Sequence, residues 1–117
     1  MTYRRMSAPS GWFPRRGEIC LAALDKERPV LIVSSNALNG HSLDVCVVPV
    51  STAEHKAFSL RPRLRAGEGG LARDSWVKCD QVITIEKTVI CYPPLGVIGP
   101  ESLGRVEVAI KQALDLP

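Results

Sequence analysis

The sequence predicts a small α+β domain in which short buried strands come first and one amphipathic helix comes last. Three apolar, β-branched runs, at residues 29–34, 45–50 and 75–80, carry the strand prediction. Each run ends in small hydroxylic or charged residues, which predicts a polar site at a rim where several strands end. After residue 100 the apolar spacing changes to three and four residues, the period of one helix face.

The first half of the chain divides into three strands and two connections. Residues 17–24 form the first strand, and residues 25–27 make a short turn into the second, central strand. Residues 36–44 are polar and contain Asn39-Gly40, a turn signal that predicts a loop. Residues 45–50 then form another buried strand.

The second half begins with a strand of alternating character. In residues 58–65 the arginines Arg61, Arg63 and Arg65 share one face, and Pro62 favours an edge position because proline cannot donate to a ladder. A glycine-rich turn follows. The remaining short strands are predicted at residues 75–80, 82–85 and 89–92.

The terminal helix has a face of apolar residues at helical spacing: Leu103, Val106, Ile110 and Leu114. Pro100 and Glu101 suit its first turn. Glu107 and Lys111 are spaced to form an i,i+4 ion pair.

One domain accounts for the 117 residues, of which 45% are hydrophobic and 23% charged. Residues 1–14 read as a flexible basic arm whose end is held by Trp12 and Phe13, and residues 15–117 as the domain. No apolar run approaches the roughly 20 residues of a membrane helix, and no secretory h-region follows the N-terminal arginines.

The four cysteines form no C-x-x-C pair, and three lie in apolar runs. Buried, reduced thiols of a cytoplasmic protein are therefore expected. His41 and His55 stand apart from any cluster of ligands, and both are interpreted as loop residues. The sequence predicts no metal and no cofactor.

The net charge of +3 is unevenly distributed. Residues 1–16 hold four arginines and no acid, and residues 55–65 hold Lys56 and three arginines, again with no acid. This pattern fits an anionic partner that binds at one face. It fits equally well an arm and an edge strand whose charges are simply solvated.

Five polar residues lie at predicted strand ends or on strand faces: Arg28, Ser51, Thr52, Lys78 and Asp80. In an unbroken strand Lys78 and Asp80 share a face with Trp76, and an aromatic ring beside a cation suits stacking with a nucleic-acid base. Taken alone, these residues favour a surface ion pair beside a half-buried tryptophan.

The ordered set of segments nevertheless resembles the MazF/PemK/Kid toxins of bacterial toxin–antitoxin modules. The resemblance rests on residues 16–19, 24–25, 28–34, 47–52, 79–81 and 98–101, and it extends from about residue 16 to 116. It implies an SH3-like small β-barrel with a C-terminal helix, usually a homodimer. It also implies a metal-independent endoribonuclease that cuts single-stranded RNA at a short sequence, through attack of the ribose 2′-hydroxyl, to give a 2′,3′-cyclic phosphate.

The resemblance assigns roles to five residues. Arg28 stabilises the charged transition state, since a guanidinium grips a phosphate with two donors. Ser51 or Thr52 bonds the phosphate. Asp80 matches a general base, and Lys78 occupies the position of an arginine proposed as the acid.

Further residues are expected to contact RNA: Trp76, Arg61, Arg63 and Arg65. The resemblance also implies an antitoxin partner whose disordered acidic tail covers the RNA groove. A loop that is often long in this family is reduced here to Asp25-Lys26-Glu27. This short loop and Lys78 keep open the alternative of a nucleic-acid-binding module without catalysis. A second alternative is a non-enzymatic gyrase poison of the same fold, like the CcdB branch.

Overall fold

A computed structural model of the chain describes residues 3–53 and 59–117. His55, Lys56 and the start of the predicted strand 58–65 lie outside these residues. Within them the elements are β1 Glu18–Ala23, β2 Glu27–Ile32, α1 Asn36–His41, β3 Asp44–Ser51, β4 Arg63–Leu64, β5 Ser75–Val77, β6 Ile83–Glu86, β7 Gly96–Val97 and α2 Pro100–Ala113. Single 3-10 turns span Glu68–Gly70 and Lys87–Val89.

The strands form one curled, antiparallel sheet in the order β4-β5-β3-β2-β1-β7. The long strand β3 pairs with β2 along one edge, and its other edge is shared by β6 at the start and β5 at the end. With α2 as the closing element, the α+β prediction is confirmed. Neither α1 nor α2, the helices of the described residues, has the length and apolar character needed to cross a bilayer.

Both faces of the central strands are buried, because successive side chains point to opposite sides. One face packs under α2 and includes Ile19, Leu31 and Val48 together with Val106 of the helix. The other face includes Cys20, Val30, Ile32, Val45 and Val47. Burial on both sides explains why β2 and β3 read as continuous apolar runs.

The sheet curls until the segment after β4 meets β7. Gly70 has a φ of +76°, and a Cβ built there would lie 2.0 Å from the carbonyl oxygen of Leu95. A Cβ on Gly96 would lie 2.6 Å from the carbonyl carbon of Gly69. Two backbones therefore touch with no room for side chains, and the half-barrel closes at this point.

The loop predicted at residues 36–44 is wrong, since the segment begins with helix α1. The Ser35 hydroxyl caps it by accepting from the Leu38 N–H at 3.2 Å. Asn39 is fully buried. Its side-chain amide nitrogen donates to the Ser34 backbone carbonyl at 3.1 Å, and the Asn39 backbone carbonyl accepts from Lys87 Nζ at 2.7 Å. These hydrogen bonds compensate for the burial of the polar groups of Asn39, which an exposed turn would have left in contact with water.

Two predicted strands are shorter than expected, and a third does not form a strand. β5 ends at Val77 rather than residue 80, and β4 contains only two residues, although its predicted edge position is confirmed. The segment predicted as strand 89–92 contains the end of a 3-10 turn and isolated bridges at Ile90 and Tyr92.

The arm lies along the domain in this structure. The Met6 N–H donates to the Tyr92 carbonyl at 2.7 Å, and the Tyr3 hydroxyl donates to the Pro93 carbonyl at 2.7 Å. The Trp12 ring meets the Tyr92 ring edge-on, with centroids 5.1 Å apart. Trp12 thus makes the predicted contact, while the flexibility of the arm stays a prediction.

Candidate nucleic-acid interface

A row of polar and aromatic side chains crosses three neighbouring strands. Ser51 at the end of β3 pairs with Trp76 of β5, and Trp76 pairs with Arg63 of β4. Paired residues in antiparallel strands share a face, so these side chains form a continuous row. The Arg63 guanidinium lies 5.9 Å from the Trp76 ring centroid, within the range of a cation–π contact.

Arg28 extends the row onto β2. The β2–β3 ladder ends at the Val30–Pro49 pair, and Arg28 and Ser51 each lie two residues beyond it, on the same sides of their strands as Val30 and Pro49. Arg28, Ser51, Trp76 and Arg63 therefore lie on one face of four neighbouring strands. We call these four residues the cross-strand row.

The Arg28 guanidinium is held by a carboxylate of the preceding turn. Its Nε and Nη2 donate to the two Asp25 oxygens, each at 3.1 Å, in an exposed bidentate pair. The hydrogen bonds from Arg28 lower the pKa of Asp25 to about 2. Asp25 therefore stays ionised at neutral pH and orients the guanidinium while leaving it open to solvent.

The two hydroxyl residues after β3 differ in their surroundings. Ser51 Oγ accepts from the Ala53 N–H at 3.1 Å and so shapes the turn that follows the strand. Thr52 is exposed. Both lie at the strand end where the sequence places them.

Asp80 does not share a strand face with Lys78, because β5 ends at Val77 and Asp80 lies in the following turn. That turn is closed by the Gln81 N–H, which donates to the Lys78 carbonyl at 3.0 Å. The predicted geometry of Lys78, Asp80 and Trp76 on one face is therefore wrong, although Lys78 remains close enough to lower the pKa of Asp80 electrostatically.

The partner of Asp80 is Arg61. Nε and Nη2 of Arg61 donate to the two Asp80 oxygens, each at 3.0 Å. These hydrogen bonds are the main reason that the pKa of Asp80 is lowered. The Arg61 side chain is only 13% exposed, so the pair is a partly buried unit.

The three arginines predicted on one face separate in the structure. Arg61 turns toward Asp80, while Arg63 pairs with Asp74 and lies over Trp76. Arg65 is exposed beyond β4. The alternation fails because only Arg63–Leu64 belong to the strand.

Sequence reasoning missed Asp25, the partner of Arg28, and Arg105 of α2. Asp25 stands three residues before Arg28 across a tight turn, a spacing that signals a local ion pair. Arg105 donates to the carbonyl of Arg63 at 3.3 Å, a contact across 42 residues that has no local sequence signal.

In the described residues no group of three or more His, Cys, Asp or Glu side chains is arranged to hold a metal ion. The cysteines there are all free thiols. Burial raises the pKa of Cys20 and that of Cys79 to about 12, so both are protonated at neutral pH.

The model of the PemK-like, MazF-like toxins of type II toxin–antitoxin systems matches residues 15–114. The chain belongs to this toxin family. The recognition made from the sequence is therefore confirmed. None of the curated proteins matches the chain.

Solved structures agree with this membership. An endoribonuclease from Mycobacterial species, in complex with its cognate antitoxin, is 28% identical with a TM-score of 0.80, covering 89% of this chain and 97% of that one. The Mycobacterium tuberculosis toxin MazF-mt6 is 30% identical with a TM-score of 0.77, covering 86% and 98%. A MazE–MazF structure from Deinococcus radiodurans, 20% identical with a TM-score of 0.77, covers 91% and 99% and shares the fold.

Proposed function

We propose that this PemK/MazF-like toxin is an endoribonuclease that cuts single-stranded RNA at a short sequence without a metal cofactor. In the proposed reaction the ribose 2′-oxygen attacks the adjacent phosphorus and the bond to the 5′-oxygen breaks. The products are a 2′,3′-cyclic phosphate and a 5′-hydroxyl. Two similar mycobacterial proteins carry the name endoribonuclease.

The observation that carries the proposal is the cross-strand row. It offers a guanidinium at Arg28 for a phosphate, a hydroxyl at Ser51 and an aromatic surface at Trp76, and the Thr52 hydroxyl follows directly after the row. A single strand of RNA presents phosphates and unstacked bases, and such strands are bound by cations beside aromatic rings.

The residues divide the chemistry as follows. Arg28 stabilises the negative charge that builds on the phosphate oxygens, and a hydroxyl of Ser51 or Thr52 donates to the same group. Asp80 accepts the proton of the 2′-hydroxyl, and Lys78 supplies a proton to the leaving 5′-oxygen. Trp76 stacks with a base, and Arg61, Arg63 and Arg65 contribute positive charge to the RNA-binding face.

The biological setting follows from the family. We propose that a cognate antitoxin neutralises the chain with an acidic, disordered tail, since similar proteins have been solved with cognate antitoxin or with MazE. We also propose a homodimer, whose mass sedimentation equilibrium would give as twice the 12.8 kDa of one chain. The cytoplasm is the proposed location because the RNA substrate is there.

The proposal is tested by incubating the purified chain with long single-stranded RNA in EDTA. Cuts at one short motif, with cyclic phosphate and 5′-hydroxyl ends, are expected. Arg28→Ala should lower the rate by at least about 100-fold while the fold persists. Lys26→Ala removes a neighbouring cation that forms no ion pair in the described residues, and it should cut like the wild type.

A second candidate, an RNA-binding module without catalysis, is favoured by one observation. Arg61 engages both oxygens of Asp80 and lowers its pKa, which weakens it as a base. Intact RNA together with salt-sensitive binding would favour this module and refute the enzyme.

A further inference from the structure

A cleft of about 770 Å³ lies between β4, the turn that follows it and the start of α2. Three guanidinium groups line it, from Arg63, Arg65 and Arg105, together with the carboxylates of Glu68 and Glu101. Arg63 is already paired with Asp74, so the positive charge that the cleft can offer to a ligand comes from Arg65 and Arg105. None of its residues except Arg63 and Arg65 belongs to the site predicted from the sequence.

Arg105 is fixed in the cleft by neutral oxygens. Its Nη2 donates to Ser102 Oγ at 3.0 Å, and its Nη1 donates to the Arg63 carbonyl at 3.3 Å. Within the described part of the chain neither Arg105 nor Arg65 forms a salt bridge. Both charges remain available to an anion, and Arg105 is already held in place.

In the described residues neither acid of the cleft forms a salt bridge with Arg65 or Arg105. Glu68 is turned toward the backbone, where its carboxylate accepts from the Gly99 N–H at 3.2 Å. That contact uses a donor at the start of α2, so an incoming anion meets the arginine side chains rather than the helix end. Glu101 is exposed in the first turn of α2.

The cleft adjoins the cross-strand row. Arg63 belongs to both, because its side chain lies over Trp76 and also lines the cleft. From Arg28 through Ser51 and Trp76 the polar surface thus continues past Arg63 to Arg65 and Arg105. A strand of RNA with its cut phosphate at Arg28 and a base on Trp76 would bring a later phosphate to this cleft.

We infer that the cleft between Arg65 and Arg105 binds a backbone phosphate of single-stranded RNA, outside the bond that is cut. The inference rests on the proposed function, to which it adds an anchoring subsite that reads no base. RNA fits better than an acidic peptide because the cleft continues an aromatic row suited to stacked bases.

The test measures binding of an RNA that cannot be cut because its 2′-hydroxyls are methylated, with salt varied from about 50 to 200 mM. Arg65→Gln and Arg105→Gln should each reduce the slope of log K against log salt by about 0.7 and weaken binding roughly tenfold. Glu101→Gln should strengthen binding. Lys111→Gln removes a charge from the same helix outside the cleft and should leave the slope unchanged.

The wild-type slope and affinity in Arg65→Gln would overturn the inference. That variant decides the matter if Arg105→Gln fails to fold, because Arg65 makes no described hydrogen bond through its side chain. Polyglutamate serves as the acidic peptide for comparison. If Arg65→Gln and Arg105→Gln lost polyglutamate binding but kept wild-type RNA binding, the inference would also be overturned, as it would be if the wild-type chain bound no RNA. A chain that shows the predicted slope changes yet cuts no RNA refutes the proposed enzyme and supports the subsite.

Discussion

The ion pair between Arg61 and Asp80 links two residues whose roles were predicted separately. Arg61 was expected to contact RNA and Asp80 to act as a base, yet each binds the other through two hydrogen bonds. A carboxylate held in this way is ionised and oriented, but it is also a weaker proton acceptor. In the proposed reaction Arg61 would therefore set the pH range in which Asp80 can act as the base.

Arg61→Gln should move the acid limb of the kcat/KM profile to higher pH. The pKa of Asp80 is lowered in the folded chain, so its ionised form persists below the ordinary aspartate value of about 3.9 and is lost as pH falls through the lowered value. Without Arg61 the limb should return toward that ordinary value. The measurement is cleavage of a short RNA across the acid range, with circular dichroism to verify folding at each pH.

Arg63→Gln is the matched control, because the carboxylate bound by Arg63 is that of Asp74. Its acid limb should coincide with that of the wild type. Full activity in Asp80→Asn, or an acid limb that stays in place in Arg61→Gln, would remove Asp80 from the reaction.

Among the elements, the central strands were predictable because their continuous runs of apolar residues indicate burial on both faces. Buried apolar residues fill both faces of β2 and β3, and the regular apolar spacing of α2 marks the face that covers the sheet. The first strand was found within one residue at each end, as Glu18–Ala23. In these segments the local pattern and the tertiary environment agree.

The remaining elements depend on partners that are distant in sequence. Asn39-Gly40 has the chemistry of a turn, but α1 forms because Asn39 is buried against Ser34 and Lys87. The Ser35 cap was the one local sign of that helix. Likewise Asp80 leaves the strand for a turn, where it meets Arg61 across 19 residues. Register across several strands, rather than any motif, assembles the cross-strand row.

Closure of the half-barrel predicts a large loss of stability in Gly70→Ala. The new Cβ would meet the Leu95 carbonyl at 2.0 Å, so the backbone must shift in addition to bearing a φ of +76°. We expect a loss of about 3–5 kcal/mol in the free energy of unfolding, measured with urea. Gly67, with a φ of +97° and no neighbour within 4 Å of its Cβ, is the control.

Gly67→Ala should cost only the backbone strain, about 1–2 kcal/mol. The difference between the two variants isolates the contact that closes the half-barrel. Equal losses would mean that the segment after β4 can move away from β7 at little cost, and that the closure is not a rigid feature.

At the scale of the whole molecule, two fully buried thiols lie on opposite faces of the sheet. Cys79 belongs to the cluster beneath α2, and Cys20 to the cluster on the other side. Burial is the main cause that raises the pKa of each from 9.0 to about 12. Each thiol thus couples the packing of its own core to pH.

Stability should therefore fall as the solution becomes alkaline. Because the folded pKa lies above the unfolded one, this contribution is complete below about pH 9, where thiols are protonated in both states. It is lost between about pH 9 and 12, as the unfolded chain ionises and the folded chain does not.

The double variant Cys20→Ala, Cys79→Ala should be less stable at pH 7, because two small cavities are left, yet its stability should decline less steeply from pH 9 upward. Urea unfolding in reducing buffer at several pH values measures both effects, with the partly exposed Cys46→Ala as the control. If the double variant and the wild type declined in parallel, the alkaline sensitivity would arise from other groups, and the two cores would not be coupled to pH through their thiols.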